Sequence, residues 1–305
     1  MLEYKDVIMI LMFIVLIGFL GLCLGSFVNA LVWRIYMQDR LLQKAESKSA
    51  KKSQKKSTNI RNQKYSILNG RSMCTYCKHV LSWYDLIPVV SWLSVGGKCR
   101  YCKKQISWQY PVVEVTTSLL FVMSYIFWPL GLNSWLDILS FGVWLILLTG
   151  FMALIVYDIR WMLLPNRLVY PMAVLALVLA IVNIIFQPGG IDFVLAVNTL
   201  TSLFIASGIF YIIFWLSNGR WIGGGDIKIG IVIGLLLQDP AESFLVLFLA
   251  SIIGTVVVVP GLLTGKLTRS SKIPFGPFLI VATILVYIFG RSIINWYVGN
   301  ILLLK

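Results

Sequence analysis

Apolar stretches separated by short polar segments follow one another along almost the whole chain. A stretch of roughly 18 to 25 apolar residues is long enough to cross the hydrocarbon core of a bilayer as a helix. The pattern therefore predicts an all-α polytopic membrane protein with about eight transmembrane helices. We place these helices at residues 7–33, 111–130, 137–157, 168–187, 192–216, 229–238 with their flanks, 241–263 and 273–290.

The first stretch has two interpretations, a cleaved secretory signal or a retained helix. Its leading residues, MLEYKD, are acidic rather than basic, and no cleavage site of small residues follows a short apolar core. A signal peptide needs a basic leading segment and such a cleavage site. We therefore expect a retained transmembrane helix.

The composition agrees with a membrane protein. Of the 305 residues, 59% are hydrophobic and only 12% are charged. A soluble protein keeps roughly a quarter of its residues charged to cover its surface. The composition thus excludes a soluble globular enzyme, a disordered protein and a fibrous protein.

The basic residues define the orientation. Eight spans place alternate loops on opposite sides, and 23 of the 26 Lys and Arg residues then lie on one side, 16 of them in segment 34–108. By the positive-inside rule that side is cytoplasmic. We expect the protein in the inner or plasma membrane, with both termini outside. We expect three parts: a first transmembrane helix (1–36), a cytoplasmic basic loop with a cysteine domain (37–109) and a membrane core (110–305).

The net charge of +14 raises the question of nucleic-acid binding. The basic run from Lys44 to Lys64 is almost free of apolar residues, which favours a solvated, flexible loop near anionic lipid headgroups. A nucleic-acid arm is the alternative, but no aromatic residues are interleaved for base stacking. We expect the lipid bilayer, and no nucleic acid, as a partner.

Four cysteines form two C-x2-C pairs, Cys74/Cys77 and Cys99/Cys102. Two such turns supply the four thiolates of a closed, tetrahedral structural zinc site. A disulfide pair is a weaker alternative, because the cytosol keeps thiols reduced, and a redox dithiol pair is a further, lesser one. A metal is also plausible because this segment is too short to bury much core. His79 then remains a surface residue, and Cys23 is an apolar packing residue in the first span.

Two carboxylates occupy unusual positions. Asp158 ends the third predicted span, and Asp226 precedes the sixth in the segment GRWIGGGDIKIG, so both lie at cytoplasmic helix ends at similar depth. An ionisable group near hydrocarbon is costly and tends to line a water-filled cavity or functional path. The ordinary interpretation is that each is a helix cap or salt-bridge partner. Gly223, Gly224 and Gly225 are expected to permit backbone conformations and helix approach that a side chain would block.

If the two aspartates face each other, they cannot both ionise readily and share one proton. One would then deprotonate a water molecule while the other protonates the leaving amide, as in aspartyl proteases. No rival catalytic set is visible: the sequence has a single His and no nucleophile elbow or phosphate loop.

At the level of motifs the chain resembles the GxGD aspartyl peptidases, with Gly223, Gly225 and Asp226 as the motif and Asp158 seven residues before Pro165. Further segments are together similar to the bacterial type IV prepilin peptidases, including members that process competence pseudopilins. These segments are GSFVNALVWR (25–34), the four cysteines, YDLIP (84–88), YPVVE (110–114) and IPFGPFL (273–279).

The resemblance implies an endopeptidase that removes the basic leader of prepilins or pseudopilins on the cytoplasmic side, after a Gly and commonly before a Phe. It implies that the new N-terminus is then methylated with S-adenosylmethionine. Asp158 and Asp226 would be the catalytic pair, supported by Gly223, Gly225 and Lys228. The four cysteines would hold zinc in a part tied to methyl transfer and fold integrity.

Some features depart from the family pattern or leave alternatives open. Asn166 stands where many members carry an acidic residue, a Lys-rich insertion occupies 44–64, and no glycine loop for a nucleotide is present, which leaves open a relative with peptidase activity alone. Glu114 and Asp85 are candidates for holding a basic leader or orienting the cysteine domain. The rival from another class is a non-enzymatic carrier or assembly scaffold whose two aspartates bind a transported cation.

Overall fold

The computed structural model describes residues 4–46, 65–66, 70–187, 190–268, 271 and 273–302. Most of the predicted basic loop at 44–64, together with Arg269 and Lys272, lies outside the described residues. The chain divides into two compact units, Met1–Ile126 and Phe127–Lys305. The described part is helical and contains no strand, so the all-α prediction is confirmed.

In the described residues of the first unit, a small module lies between two long helices. α1 runs from Tyr4 to Glu46, α2 is a short helix at Val90–Ser94, and α3 spans Gln109–Ile126. A 3₁₀ turn at Trp83–Leu86 precedes α2. We call residues 70–108 the cysteine module.

The first helix is longer than predicted. The apolar pattern ends at residue 33, yet α1 continues to Glu46. The segment after Trp33 contains Arg, Leu, Gln, Lys and Ala but no Gly or Pro, and such residues favour helix without needing an apolar environment. The polar loop predicted from residue 34 therefore begins as helix.

The part of the second unit that the structure describes contains six long helices. They are α4 (Trp135–Trp161), α5 (Asn166–Ile185), α6 (Phe193–Leu203, a π-helical turn at Phe204–Gly208, and Ile209–Leu216), α7 (Gly224–Leu237), α8 (Pro240–Leu263) and α9 (Gly276–Tyr297). α4 contributes much of the core through Trp144, Leu147, Leu148, Phe151 and Leu154, which are fully buried.

Among the described residues, six helices are long and apolar enough to cross a membrane: α1, α4, α5, α6, α8 and α9. The chain is therefore a multi-pass membrane protein. Helices also occupy the other two predicted spans, but α7 has only 14 residues and α3 carries the acidic Glu114 in its first turns. The eight-span arrangement stays a prediction.

Small residues let α1 and α3 pack closely. A Cβ atom built on Gly21 would lie 2.7 Å from the Cα of Ser118, and one on Gly25 would lie 2.7 Å from the Cα of Glu114. Neither backbone atom can yield as a flexible side chain would. This G-x3-G face thus brings the two helices into backbone contact, as in many membrane proteins.

The same spacing positions α7 against α6. A Cβ atom on Gly230 would collide with the carbonyl of Ala206 in the π-helical turn, and one on Gly234 would lie 2.6 Å from the Cα of Leu203. Ser207 donates a hydrogen bond to the Ile227 carbonyl at 3.0 Å. These contacts fix α7, and therefore Asp226 in its first turn, against α6.

Candidate active site and metal centre

Asp158 lies in the last turn of α4 and is 5% exposed. Met162 caps the end of the helix: it adopts a left-handed conformation and donates its N–H to the Asp158 carbonyl at 2.8 Å. The side chain of Asp158 remains free to point away from its own helix. Its carboxylate accepts a hydrogen bond from the backbone N–H of Gly276, the first residue of α9.

Asp226 is the third residue of α7, and Gly223 is the N-cap of that helix. The carboxylate accepts a hydrogen bond from the backbone N–H of Gly223. An acidic residue at this position commonly caps a helix in this way. Asp226 also interacts electrostatically with Asp158, so the structure brings the two carboxylates near each other.

Leu164 lies between the residues that flank the two aspartates. A Cβ atom on Gly225 would lie 2.6 Å from Cδ1 of Leu164, and one on Gly276 would lie 3.6 Å from the same atom. The same Cβ atom on Gly276 would lie 2.5 Å from Oδ2 of Asp158. The α4–α5 connection, the start of α7 and the start of α9 therefore converge on one small volume.

The three glycines before Asp226 have different roles. None of them has a positive φ, and Gly223 has φ −75° and ψ 144°, which any residue can adopt. The expectation that they are needed for unusual backbone conformations is therefore wrong. Close approach applies only to Gly225, because a Cβ atom on Gly223 or Gly224 would meet nothing closer than 3.8 Å.

The basic residues nearest in sequence to the aspartates are directed elsewhere. The Nζ of Lys228 donates to Oδ1 of Asn166 at 2.7 Å and lies 5.8 Å from the ring centroid of Tyr170. The guanidinium of Arg160 lies over the Trp161 ring. Lys228 thus ties the start of α7 to Asn166 at the start of α5.

Three other aspartates in the second unit have a plain structural role. Asp137 forms a capping box with Ser134 at the start of α4, Asp192 accepts from the N–H of Leu195, and Asp239 accepts from the N–H groups of Ala241 and Glu242. Each caps its own helix. Asp158 differs from them because its side chain reaches from the end of one helix to the start of another.

The cysteine module brings four thiols together. The sulfur atoms of Cys74, Cys77, Cys99 and Cys102 all lie within 4.8 Å of one another, and those of Cys74 and Cys102 are 3.9 Å apart. Tetrahedral coordination with metal–sulfur bonds of about 2.3 Å separates sulfur atoms by about 3.8 Å. The donor set and its spacing fit a four-coordinate metal ion.

The two cysteine pairs belong to an internal repeat that the sequence analysis missed. CTYCKHVLSW (74–83) and CRYCKKQISW (99–108) are identical at six of ten positions. The Cys74 N–H donates to the His79 carbonyl at 2.9 Å, and the Cys99 N–H donates to the Lys104 carbonyl at 2.8 Å. Lys78 and Lys103, which follow the second cysteine of each pair, have φ of 61° and 59°.

Side chains of each repeat also contact the other repeat. The His79 ring lies 3.7 Å from that of Tyr101, and the Nζ of Lys104 lies 4.9 Å from the centroid of the Tyr76 ring. The sixth residue of each repeat thus covers the tyrosine of the other. His79 is exposed, as expected, but its ring packs against that of Tyr101 in the second repeat.

Backbone N–H groups donate hydrogen bonds to the sulfur of the first cysteine in each C-x2-C pair. Burial raises the pKa of Cys74 to about 11, against hydrogen bonds from the N–H groups of Cys77 and Tyr76. Burial acts in the same direction on Cys99, but hydrogen bonds from the N–H groups of Cys102 and Tyr101 lower its pKa to about 7. Such donors stabilise thiolates, which are the form that binds metal.

Asp85 and Glu114 orient the module. Asp85 forms an ion pair with Arg100 at 3.0 Å and accepts from the Tyr101 hydroxyl. The buried Glu114 of α3 accepts from the N–H of Val89 at 2.7 Å. Val89 has φ 60°, a costly conformation for a β-branched residue, so Glu114 holds a strained turn at the start of α2.

Two protein-family models match this chain. Residues 19–128 match the model of the bacterial peptidase A24 N-terminal domain, and residues 145–259 match that of the type IV leader peptidase family. No solved structure gives a significant match.

Curated relatives share one name, prepilin leader peptidase/N-methyltransferase. The Bacillus subtilis protein is 32% identical over 238 residues, which cover 76% of this chain and 87% of that protein. The Aeromonas salmonicida protein is 27% identical over 94% of both chains. The Pseudomonas aeruginosa protein is 29% identical over 91% of both chains.

Proposed function

The chain belongs to the type IV leader peptidase family, and we propose that it is a membrane-embedded aspartyl endopeptidase that removes the leader peptide of type IV prepilins or pseudopilins on the cytoplasmic side. The observation that carries this proposal is the pairing of Asp158 and Asp226. They come from different helices, interact electrostatically, and each accepts a backbone hydrogen bond that orients its carboxylate.

The chemistry follows from the shared proton of such a pair. The ionised carboxylate removes a proton from a water molecule, whose oxygen then attacks the scissile carbonyl carbon. The protonated carboxylic acid donates its proton to the leaving amide nitrogen as the C–N bond breaks. The pair then holds one proton again and is ready for another substrate.

The substrate class fits the predicted orientation. A prepilin presents a basic leader followed by an apolar helix, so the leader stays in the cytosol while the helix lies in lipid. The predicted eight spans put Asp158, at the end of α4, and Asp226, at the start of α7, on the cytoplasmic side. The bond to be cut would then lie at the depth of the two carboxylates.

We also propose methylation of the new N-terminus with S-adenosylmethionine. The relatives carry this second activity in their name, and the chain matches the N-terminal domain model over 19–128. No residue is assigned to the methyl donor. We propose zinc for the four cysteines, because four thiolates in a closed tetrahedral arrangement suit Zn²⁺ in a structural role.

A non-enzymatic carrier or assembly scaffold remains the competing proposal. In that account Asp158 and Asp226 bind a transported cation, and the cysteine module docks a partner. Relatives named as peptidases over more than nine-tenths of the chain favour the enzyme.

Co-expression with a candidate prepilin tests both proposed activities. Mass spectrometry of the pilin N-terminus separates uncleaved, cleaved and cleaved-and-methylated forms. We expect the wild type to produce the methylated form, and Asp158→Asn or Asp226→Asn to leave the leader in place at normal membrane abundance. Cleavage by either variant would refute the aspartyl peptidase, whereas cleavage without methylation by the wild type would refute only the transferase.

A further inference from the structure

We propose that Gly276 is a positioning residue for Asp158, and that the start of α9 is thereby a third component of the cleavage site. This inference rests on the proposed function, since it assigns a role to a residue that holds one of the two catalytic carboxylates. Gly276 belongs to the IPFGPFL segment, for which neither the catalytic pair nor the metal site provides a use.

The first argument is a hydrogen bond. The first N–H groups of a helix have no partner inside that helix. Gly276 is the first residue of α9, and Pro277 after it has no N–H to offer. The Gly276 N–H is therefore the leading donor of the helix, and it is directed at the Asp158 carboxylate. The helix start also adds a partial positive charge near that carboxylate.

The second argument is space. A Cβ atom on Gly276 would lie 2.5 Å from Oδ2 of Asp158 and 3.5 Å from its Cγ. The first distance is far below van der Waals contact, so any side chain would displace the carboxylate. Gly276 has no positive φ, which removes the usual conformational reason for glycine. Close approach to Asp158 is the reason that remains.

Together the two contacts fix the carboxylate of Asp158 from a helix that carries no catalytic group itself. Because α4 and α9 are the two most buried of the six span-length helices, packing against neighbouring side chains restricts the movement of this support. A rigid support matters because a displacement of about 1 Å in a catalytic group can cost about 100-fold in rate.

Gly276→Ala tests the steric argument. A residue that only positions a catalytic carboxylate affects the chemical step, so kcat should fall about 100-fold while KM stays within about threefold. Gly142→Ala is the matched control: it makes the same change in α4, where a Cβ atom meets nothing within 4 Å. Wild-type kcat for Gly276→Ala, or equal losses in the two variants, would overturn the proposal.

Amide NMR of the unaltered chain tests the hydrogen bond even if Gly276→Ala does not fold. Carbonyl-¹³C Phe combined with ¹⁵N Gly selects only the Phe141–Gly142, Phe275–Gly276 and Phe289–Gly290 peptide groups. The Gly276 signal should shift as pH is varied, and the shift should vanish in Asp158→Asn. Gly142 serves as the internal reference. If the pH-dependent shift of the Gly276 signal is the same in Asp158→Asn as in the wild type, the proposal is overturned.

The two levels of inference fail differently. Cleavage by Asp158→Asn would end the proposed function, and the role of Gly276 with it. An inactive Asp158→Asn together with a fully active Gly276→Ala would end the positioning role alone.

Discussion

A neighbouring side chain leaves no room for a Cβ atom at Gly225. Its backbone is ordinary, but Cδ1 of Leu164 occupies the place that a Cβ atom would take. Gly223, two residues earlier, has room for a methyl group. In the G-x-G-D motif the second glycine, Gly225, is therefore required by packing, whereas the first, Gly223, is not.

We predict that Gly225→Ala lowers both stability and leader cleavage, because overpacking costs about 1–3 kcal/mol and moves the start of α7. Thermal unfolding in detergent and cleavage rates measure the two effects. Gly223→Ala is the control and should leave both nearly unchanged. Leu164→Ala in the Gly225→Ala background removes the colliding atom and should restore stability. Equal damage from Gly223→Ala and Gly225→Ala would contradict this account.

Some site residues could be predicted from sequence and others could not. Asp158 and Asp226 are unusual by position alone, because acidic residues are costly near hydrocarbon. Gly276 follows Asp158 by more than a hundred residues, and only the approach of α9 to α4 gives it a role. In the sequence, nothing distinguishes Leu164 from other apolar residues in connecting segments. Contacts of this kind depend on tertiary packing that local patterns do not encode.

Among the elements, the cysteine module depends on its repeated knuckles rather than on an apolar core. Its Trp83, Val90, Leu93 and Trp108 are exposed, so little apolar surface is buried within it. A metal ion that joins the two knuckles would supply stability that packing does not.

We predict about one zinc ion per chain, since the four thiolates form one site. Cys74→Ser should lose the metal and destabilise the protein, as measured by elemental analysis and thermal unfolding. Cys23→Ser is the matched control, because Cys23 lies in α1 and is not part of the cluster. The idea is wrong if the purified chain holds no metal, or if Cys74→Ser unfolds at the same temperature as the wild type.

The helices themselves were predictable to different degrees. Every predicted apolar stretch contains a helix. A helix satisfies its backbone groups within the segment, which a segment in hydrocarbon requires. The end of α1 was missed because residues 34–46 are polar yet favour helix. The G-x3-G contacts at Gly21/Gly25 and Gly230/Gly234 were not singled out, since the spacing alone does not identify the helix that packs there.

At the scale of the whole molecule, the number of membrane crossings decides which loops share a side. Eight crossings place the α3–α4 connection and the cysteine module on opposite sides of the membrane. If only the six long apolar helices cross, α3 and α7 do not, and these two regions lie on the same side. The distribution of basic residues favours eight.

Accessibility of labelled positions in oriented vesicles distinguishes the two arrangements. We predict that a label at Asn133 reacts only with an impermeant reagent outside the cell, and that a label at Ser94 reacts only from the cytoplasmic side. A non-natural amino acid as the labelling group leaves the four module cysteines intact. Reaction of both positions from the same side would contradict the eight-span arrangement.

The central claim is that two aspartates from α4 and α7 act together to cut a peptide bond. The most direct measurement is the initial rate of leader release from a labelled prepilin by purified protein in liposomes. We predict that Asp158→Asn and Asp226→Asn each lose at least about 1,000-fold, as expected for members of one catalytic unit. Asp192→Asn and Asp239→Asn, which keep their helix caps, should retain the wild-type rate. A rate within tenfold of wild type in either Asp158→Asn or Asp226→Asn would contradict the account.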